Sequence, residues 1–156
     1  MPTTAFRPSP FGRIGLEETD GAVTRLYFAS GSTPDAGRES ELLRRAFAQL
    51  EAYWQGDLRV FDLPLAPRGT DFMLRVWRQL CAVPYGQTAA YRDIAAAVGN
   101  PRACRAVGLA NHHNPIPIVI PCHRIVGSNG ALTGYAGGLD MKRALLDLEA
   151  RSLARA

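Results

Sequence analysis

The chain has 156 residues, 47% of them hydrophobic, which suits one compact domain or two small ones. No apolar run approaches the roughly 20 residues that cross a bilayer, and the first residues lack the order of a secretory signal, so we expect a cytoplasmic protein without a membrane partner. Residues 1–69 carry eight Arg against nine acidic side chains, whereas residues 70–156 carry nine Arg and one Lys against five. A basic second half favours a polyanionic partner, although many basic domains are simply soluble.

The first half of the chain predicts a hairpin followed by a helix. Residues from Phe11 to Ala29 read as two strands around the turn Thr19-Asp20-Gly21. A loop rich in Gly, Ser and Pro, from Ser30 to Gly37, separates them from the next element. Apolar residues then recur at three- and four-residue steps from Leu42 to Trp54, which predicts a helix that stops at Gly56.

A Pro-rich stretch that ends near Gly69 predicts a domain boundary. The short apolar segment before it, with Val60, Phe61, Leu63 and Leu65, is broken by Pro64 and Pro67. We therefore expect two domains, residues 1–69 and residues 70–156.

The second half begins with two predicted helices. Thr70 or Asp71 is suited to cap the first, which ends at Pro84-Tyr85-Gly86. The second covers Tyr91 to Val98 and closes at Gly99, but Ala90 stands where a capping Ser or Thr would serve better.

A third helix has a clear predicted start, with Asn100 as cap and Pro101 in the first helical position, and it continues through Arg102 to Asn111. Together with the preceding helix it forms a candidate helix-turn-helix. Small residues on it would allow close approach either to a groove or to another helix, and spacing alone does not choose between them. These residues are Ala103, Ala106, Gly108 and Ala110.

The three cysteines are Cys81, Cys104 and Cys122. An odd number without a signal peptide argues against a disulfide framework. No C-x-x-C or H-x-x-x-H spacing is present, so we expect no metal and no cofactor. We expect Cys81 and Cys104, each on an apolar or small-residue helix face, to be inert buried thiols.

Cys122 has a different setting. Asn114-Pro115 and Pro117 exclude a helix before it, and Ile118 to Ile120 predict a buried strand-like stretch that delivers the cysteine on a rigid turn. A stiff support of this kind suits a nucleophile, whereas an inert buried thiol is the alternative.

The run Pro121-Cys122-His123-Arg124 resembles the acceptor motif of O6-alkylguanine-DNA alkyltransferases, and the resemblance covers about residues 70–150. It implies an α+β fold with a small N-terminal α/β support domain, which has an antiparallel sheet and a helix. The C-terminal domain would be mostly helical, with a winged-helix-like helix-turn-helix that binds DNA. The other matching stretches are Val83 to Thr88 with Tyr91, Arg102 to Gly108, Asn114 to Pro117, Gly130 to Gly138 and Lys142 to Glu149.

The resemblance implies DNA repair by a single, irreversible transfer of an alkyl group from O6 of guanine to Cys122, with O4-alkylthymine left open as a second substrate. A thiolate is the soft nucleophile that attack on an alkyl carbon requires. His123 would take the thiol proton through a water, and Glu149 would orient the imidazole. Tyr91 would donate to the leaving base as charge develops on it.

The same resemblance implies a substrate pocket. Carbonyls of Cys122 and Ile125 would accept from the exocyclic amine of guanine, and Tyr135 would form one wall. Ala136 stands where many relatives have serine, but the backbone N–H that must reach O6 is still present. Pocket positions Thr133 and Pro117 and the structural hinge Asn114 complete the set.

The expected partner is double-stranded DNA, bound by a monomer mainly through the minor groove and phosphates. Because a stacked base cannot present O6 to a thiol, the nucleotide must rotate out of the helix. Arg105 matches the family arginine that fills the vacated place, and Arg102 would meet phosphate. Ala106, Gly108 and Arg124 are the further expected DNA contacts.

Three other functions compete with repair. Alkyltransferase-like proteins bind lesions but lack the acceptor cysteine that is present here. A cysteine hydrolase would use Cys122 and His123, and a helix-turn-helix regulator would use neither. Neither a hydrolase nor a regulator explains the presence of the loop from Gly130 to Gly138 together with Tyr91 and Glu149. Residues 1–69 contain no Cys or His, so the zinc site that some relatives carry in the first domain is absent.

Overall fold

The computed structural model describes residues 2–29 and 38–155, and the predicted loop from Ser30 to Gly37 lies outside this range. The chain divides into two compact units, Met1–Arg68 and Gly69–Ala156. Both helices and strands are present, which confirms the expected α+β class. Among the described residues, no helix is both long and apolar enough to span a membrane.

The first unit contains a three-stranded antiparallel sheet in the order β1-β2-β3, formed by Thr3–Ser9, Gly12–Thr19 and Ala22–Phe28. The predicted hairpin is β2 and β3. At its turn Asp20 and Gly21 have φ angles of 51° and 80°. Positive φ at both central residues matches the right-handed twist of the strands, which is why Asp-Gly favours this connection.

Strand β1 was not predicted from the sequence. Only Ala5 of its seven residues is buried, so the apolar alternation that marks a half-buried strand is missing. Pro8 is tolerated because β1 is an edge strand, with a partner on one side alone.

Helix α1, Glu41–Trp54, confirms the predicted helix. The Ser40 hydroxyl caps it by accepting from the Leu43 N–H at 3.1 Å. Its buried face packs on the sheet and completes the core of the first unit. The buried side chains of α1 are Leu43, Ala46, Phe47, Leu50 and Tyr53.

The second unit contains four helices and a two-stranded parallel sheet among its described residues. The helices are α2, Asp71–Cys81; α3, Tyr91–Ala97; α4, Cys104–His112; and α5, Leu139–Ala154. Strands β4, Ala89–Ala90, and β5, Ile125–Val126, pair in parallel.

Helix α2 is the centre of this unit. Thr70 caps it, as one of the two predicted alternatives, with its hydroxyl 3.2 Å from the Met73 N–H. Trp77 is 2% exposed and donates its indole N–H to the Ala110 carbonyl at 2.8 Å. This hydrogen bond joins α2 to the end of α4, so α4 is held on a rigid base.

Two helix starts differ from the simplest expectation. The missing cap of α3 is replaced by the Asp93 carboxylate, which accepts from the Ala90 N–H at 2.8 Å. Helix α4 begins at Cys104, so the predicted start at Pro101 is wrong. The Ala103 N–H donates to the Asn100 carbonyl at 3.0 Å, which closes a turn before the helix and places Arg102 in that turn.

Candidate active site

The segment that leads to Cys122 is a tight turn. The prediction of a strand-like stretch here is wrong. The Ile120 N–H donates to the Ile116 carbonyl at 2.9 Å, and Pro117 and Ile120 form an isolated β-bridge. Within this turn Ile118 has φ = 75°. That conformation is strained for a β-branched residue and persists only where surrounding packing imposes it. Ile118 is fully buried, so the strain is held by the core.

Asn114 fixes the two ends of this turn. Its side-chain amide donates to the Ile120 carbonyl at 2.8 Å, and its side-chain oxygen accepts from the Ile116 N–H at 3.0 Å. The side chain is buried, where each such hydrogen bond contributes about 1 kcal/mol. One side chain of the hinge therefore ties both ends of the turn that leads to Cys122, in addition to the packing around Ile118.

Cys122 begins a single 3₁₀ turn, Cys122–Arg124, and is 4% exposed. Burial raises the pKa of its thiol to about 11, although Asn114 and Lys142 act in the opposite direction. At neutral pH the thiol is therefore protonated, and a base is needed to form the thiolate. Among residues 2–29 and 38–155, no group of three or more His, Cys, Asp and Glu could hold a metal ion.

The other two cysteines are more accessible than predicted. Cys81 is exposed and Cys104 is of intermediate exposure, so the expectation that both are buried is wrong. Cys81 is the last residue of α2 and Cys104 is the first residue of α4, and helical periodicity alone does not determine the exposure of a residue at a helix end.

The side chain next to the thiol is paired with a carboxylate. His123 Nε2 lies 2.7 Å from Glu149 Oε2, and both side chains are fully buried. Burial lowers the pKa of His123, while Glu149 opposes this, so the imidazole is neutral at rest. Its other nitrogen, Nδ1, is buried and has no hydrogen-bond partner within the described part of the chain.

Glu149 accepts hydrogen bonds from three residues of the unit. Besides His123, it accepts from the Gly86 N–H at 3.0 Å and from Nε and Nη2 of Arg124 at 2.9 and 3.0 Å. Burial alone would raise its pKa, but the hydrogen bonds from His123 and Arg124 outweigh it and lower the pKa to about 2. Glu149 is thus a carboxylate, so the hydrogen that it shares with His123 belongs to Nε2.

Gly86 is required by this arrangement. Its φ angle is 78°, and an added Cβ would lie 2.0 Å from Cδ1 of Leu153 on α5. Glycine therefore allows the turn to approach α5 closely enough to reach Glu149.

Arg124 was predicted to contact DNA, and this is wrong. The side chain is 7% exposed, and besides its two bonds to Glu149 it donates from Nη1 to the Val83 carbonyl at 2.8 Å. An arginine whose donors are used inside the fold is not available to a phosphate. Its contribution is to balance the charge of the buried carboxylate.

Tyr91 and Thr133 meet although they are 42 residues apart. The Tyr91 hydroxyl lies 2.5 Å from Thr133 Oγ1, which joins the first residue of α3 to the loop of residues 127–138. Gly108, a predicted DNA contact, lies on α4 beside this pair, since a Cβ there would be 3.8 Å from the Tyr91 ring. Glycine at position 108 therefore leaves room for the Tyr91 ring. The residue itself is partly exposed.

The remaining predicted pocket positions occupy the loop and the acceptor segment. Ile125 and Pro117 are buried, whereas Ala136 is exposed. Tyr135 is half-buried, and its hydroxyl has no partner among the described residues. Burial, with the nearby Cys122 and Glu149, keeps the pKa of this hydroxyl well above its usual range, so it is a neutral donor.

The predicted DNA contacts on and before α4 are exposed. Arg105 and Ala106 lie on the first turn of the helix, and Arg102 lies in the turn before it. Neither arginine forms a hydrogen bond or ion pair with any described residue. Leu109 continues the same face and is 56% exposed.

Two buried residues near Cys122 were not singled out from the sequence. Lys142 is fully buried and donates from Nζ to the carbonyls of Ile125 and Thr133, at 2.5 and 3.0 Å. Asn111, at the end of α4, is 5% exposed and donates to the Cys122 carbonyl at 3.5 Å. One sequence feature does mark Lys142, because it is the single lysine among 18 basic side chains.

Comparison with known proteins gives one consistent family. Residues 71–151 match the family model described as the 6-O-methylguanine DNA methyltransferase DNA-binding domain. Over 150 residues the chain is 51% identical to a Methanosarcina barkeri protein named methylated-DNA–protein-cysteine methyltransferase, covering 93% of this chain and 95% of that one. A Mycobacterium tuberculosis protein of the same name is 56% identical over 149 residues, covering 90% and 88%.

A solved structure has the same fold. It is described as a crystal structure of Mycobacterium tuberculosis OGT in complex with DNA, and it matches with a TM-score of 0.86 at 44% identity. The match covers 96% of this chain and 93% of that one. The chain therefore belongs to the 6-O-methylguanine DNA methyltransferase family.

Proposed function

We propose that this protein repairs DNA by direct reversal and that Cys122 is the acceptor of the alkyl group from O6 of guanine. The observation that carries the assignment is a buried thiol followed at once by a histidine. Its Nε2 is 2.7 Å from Glu149, and its Nδ1 has no hydrogen-bond partner among residues 2–29 and 38–155. Membership of the methyltransferase family supports the same reaction.

The tautomer of His123 determines which nitrogen takes the proton of the Cys122 thiol. Because Glu149 is ionised, Nε2 of His123 carries the hydrogen and Nδ1 presents a lone pair. Nδ1 takes the proton from the thiol of Cys122 through a bridging water. The carboxylate then stabilises the imidazolium that forms, as the third member does in acyl-transfer triads.

In the transfer step the Cys122 thiolate attacks the alkyl carbon. A C–S bond forms, the C–O6 bond breaks, and the electron pair of that bond remains on the base. Guanine becomes neutral by taking up one proton, which balances the proton lost by Cys122. Tyr91 donates to the base as charge develops. The thioether product is not hydrolysed at neutral pH, so each molecule reacts once.

The pocket selects the base by hydrogen bonding. The carbonyls of Cys122 and Ile125 accept from the exocyclic amine, and the Ala136 N–H donates to O6. Tyr135 supplies an aromatic wall. Thr133, beside Tyr91, and the buried Pro117 line the remainder of the pocket. O4-alkylthymine is the second candidate substrate.

The DNA contacts belong to the second unit. We propose that α4 enters the minor groove, that Arg105 fills the place of the flipped nucleotide, and that Arg102 binds phosphate. The exposed Ala106 lets the helix approach the groove floor. Flipping costs a few kcal/mol, which stacking and hydrogen bonding by the arginine offset. The protein acts as a cytoplasmic monomer, and residues 1–69 form its support domain.

Intact-mass measurement tests the proposal. After incubation with duplex DNA that contains O6-methylguanine, we expect every chain to gain one methyl group in place of one hydrogen, on the peptide that contains Cys122. DNA with unmodified guanine is the control. No adduct, an adduct on another residue, or repeated turnover by one molecule would reject the proposal.

A further inference from the structure

The position of the single lysine is unusual for its chemistry. Lys142 is 0% exposed, although an ammonium that leaves water loses several kcal/mol of hydration. The other 17 basic residues are arginines, so the chain has no general preference for lysine. An apolar side chain of similar length, such as methionine, would fill this site at a lower cost to folding. The retained charge therefore calls for an explanation other than packing.

The two carbonyl groups that accept hydrogen bonds from Lys142 provide an explanation. Its Nζ donates to the Ile125 carbonyl at 2.5 Å and to the Thr133 carbonyl at 3.0 Å. Ile125 opens β5, directly after the 3₁₀ turn that carries Cys122. Thr133 lies in the loop of residues 127–138, and its hydroxyl meets Tyr91. The ammonium of Lys142, on α5, thus connects β5 to the loop of residues 127–138.

Lysine suits this task better than arginine. Its ammonium is a compact point donor with three hydrogens, which can serve two carbonyls in different elements at once. A planar guanidinium is adapted to two parallel acceptors on a single carboxylate, as Arg124 is on Glu149. The loop itself contains five glycines within residues 127–138, so its backbone needs an external constraint.

We propose that Lys142 is a positioning residue for alkyl transfer, because its ammonium holds the Ile125 carbonyl and the loop at Thr133 in the geometry that receives the alkylated base. It touches neither the base nor the alkyl group. This inference rests on the proposed function, since the Ile125 carbonyl and the loop are the two sides of the pocket assigned above. Lys142 also lowers the pKa of the Cys122 thiol through its charge, a smaller influence than burial.

The first experiment compares Lys142→Met with Arg143→Met. Both remove one positive charge from neighbouring positions on α5, but Arg143 is exposed. At saturating duplex DNA with O6-methylguanine, we expect Lys142→Met to lower the single-turnover rate constant roughly a hundred-fold, because small misplacement of a substrate has that effect. Arg143→Met should keep the wild-type rate constant. Equal rate constants for wild type and Lys142→Met would overturn the proposal.

Three further readouts separate positioning from general damage. Duplex affinity should change less than two-fold in Lys142→Met, and amide hydrogen exchange should accelerate within residues 127–138 while α2 stays protected. Alkylation of Cys122 by iodoacetamide, which needs no pocket, should slow much less than transfer from guanine. Equal losses with both reagents would mean that Lys142 acts on the thiol, and the positioning role would be wrong.

A measurement on the wild-type protein does not depend on whether the variant folds. Labelling with [15N]lysine gives one side-chain signal, because Lys142 is the only lysine. We expect a slowly exchanging ammonium whose signal shifts when O6-benzylguanine binds to the Cys122→Ala protein. Rapid exchange, as in an exposed lysine, would overturn the proposal. Failure of the proposed function itself would appear separately, as a wild-type protein that forms no adduct.

Discussion

Two regions of the second unit differ in the burial and the hydrogen bonding of their charged side chains. The first is the acceptor cluster, made of Cys122, His123, Arg124, Lys142 and Glu149. The second is the α4 face, made of Arg102, Arg105, Ala106 and Leu109. In the acceptor cluster the charged side chains are buried and hydrogen-bonded within the fold. On the α4 face both arginines are exposed and bond to no described residue.

The difference indicates when each region acquires its interactions. The acceptor cluster is arranged during folding, so its geometry exists before substrate arrives and needs little reorganisation at the moment of reaction. Under the proposed function, the α4 face obtains its partners from the nucleic acid. Substitutions in the acceptor cluster should therefore change the rate of alkyl transfer and the stability of the protein. Substitutions on the α4 face should change only the binding of duplex DNA and the reaction with it.

The largest expected effect is the loss of transfer in Cys122→Ser, since a hydroxyl is a far weaker nucleophile than a thiolate. Intact mass and duplex affinity should both be measured, and affinity should remain near that of wild type. Cys81→Ser and Cys104→Ser are the controls and should still form one adduct per chain. An adduct on the Cys122→Ser protein would move the chemistry away from this cluster.

Glu149→Gln comes next. A glutamine amide can donate to Nε2 of His123, which moves the ring hydrogen to Nδ1, the atom proposed to accept the thiol proton. Loss of general base catalysis should lower the single-turnover rate constant by about 10²–10⁴. Arg124→Gln is the matched control, because it breaks the same ion pair but leaves the His123–Glu149 contact. It should be less stable yet retain most of the rate, and equal rate losses would make Glu149 merely structural.

Acid should destabilise the protein through the same carboxylate. The pKa of Glu149 is about 2 in the folded protein and 4.5 in a free side chain, so its contribution is complete above pH 4.5 and is lost as pH falls toward 2. Such a shift corresponds to an upper value on the order of 3 kcal/mol. Denaturant titrations between pH 2 and pH 6 should show this loss in wild type and in Arg105→Ala. Glu149→Gln should lack it, and an equal loss there would assign the acid sensitivity elsewhere.

Arg105→Ala tests the α4 face. Because the side chain is proposed to stabilise the flipped state, we expect the transfer rate on duplex DNA to fall roughly ten- to a hundred-fold, in keeping with the cost of flipping. Transfer from free O6-alkylguanine, which needs no flipping, should be unchanged. Similar losses with both substrates would place Arg105 in the pocket and remove the contrast between the two regions.

The smallest expected effect concerns salt. Duplex affinity should fall with salt and depend little on sequence, because arginines displace counterions from phosphates. Arg102→Ala should reduce the slope of log affinity against log salt by about 1. Arg124→Gln should leave this slope unchanged, since Arg124 is buried in the acceptor cluster. A reduced slope in Arg124→Gln would restore it as a phosphate contact.

Several features are determined by the sequence because they depend on neighbours along the chain. The Asp20-Gly21 turn, the apolar spacing of α1 and the Thr70 cap each involve residues within a few positions of one another. The adjacency of Cys122 and His123 is likewise visible in the sequence. Together with the motif resemblance, these local patterns predicted the fold class and the proposed nucleophile.

Other features were decided only by tertiary structure. Strand β1 is stabilised by pairing with β2 and buries too little to show a pattern, and the turn at Ile118 is imposed by packing around it. Arg124 faces inward because Glu149, 25 residues away, lies on the helix beside it. Lys142 is buried because two backbone carbonyls converge on it, and backbone acceptors have no sequence signature. Such partners become visible only when the fold brings distant segments together.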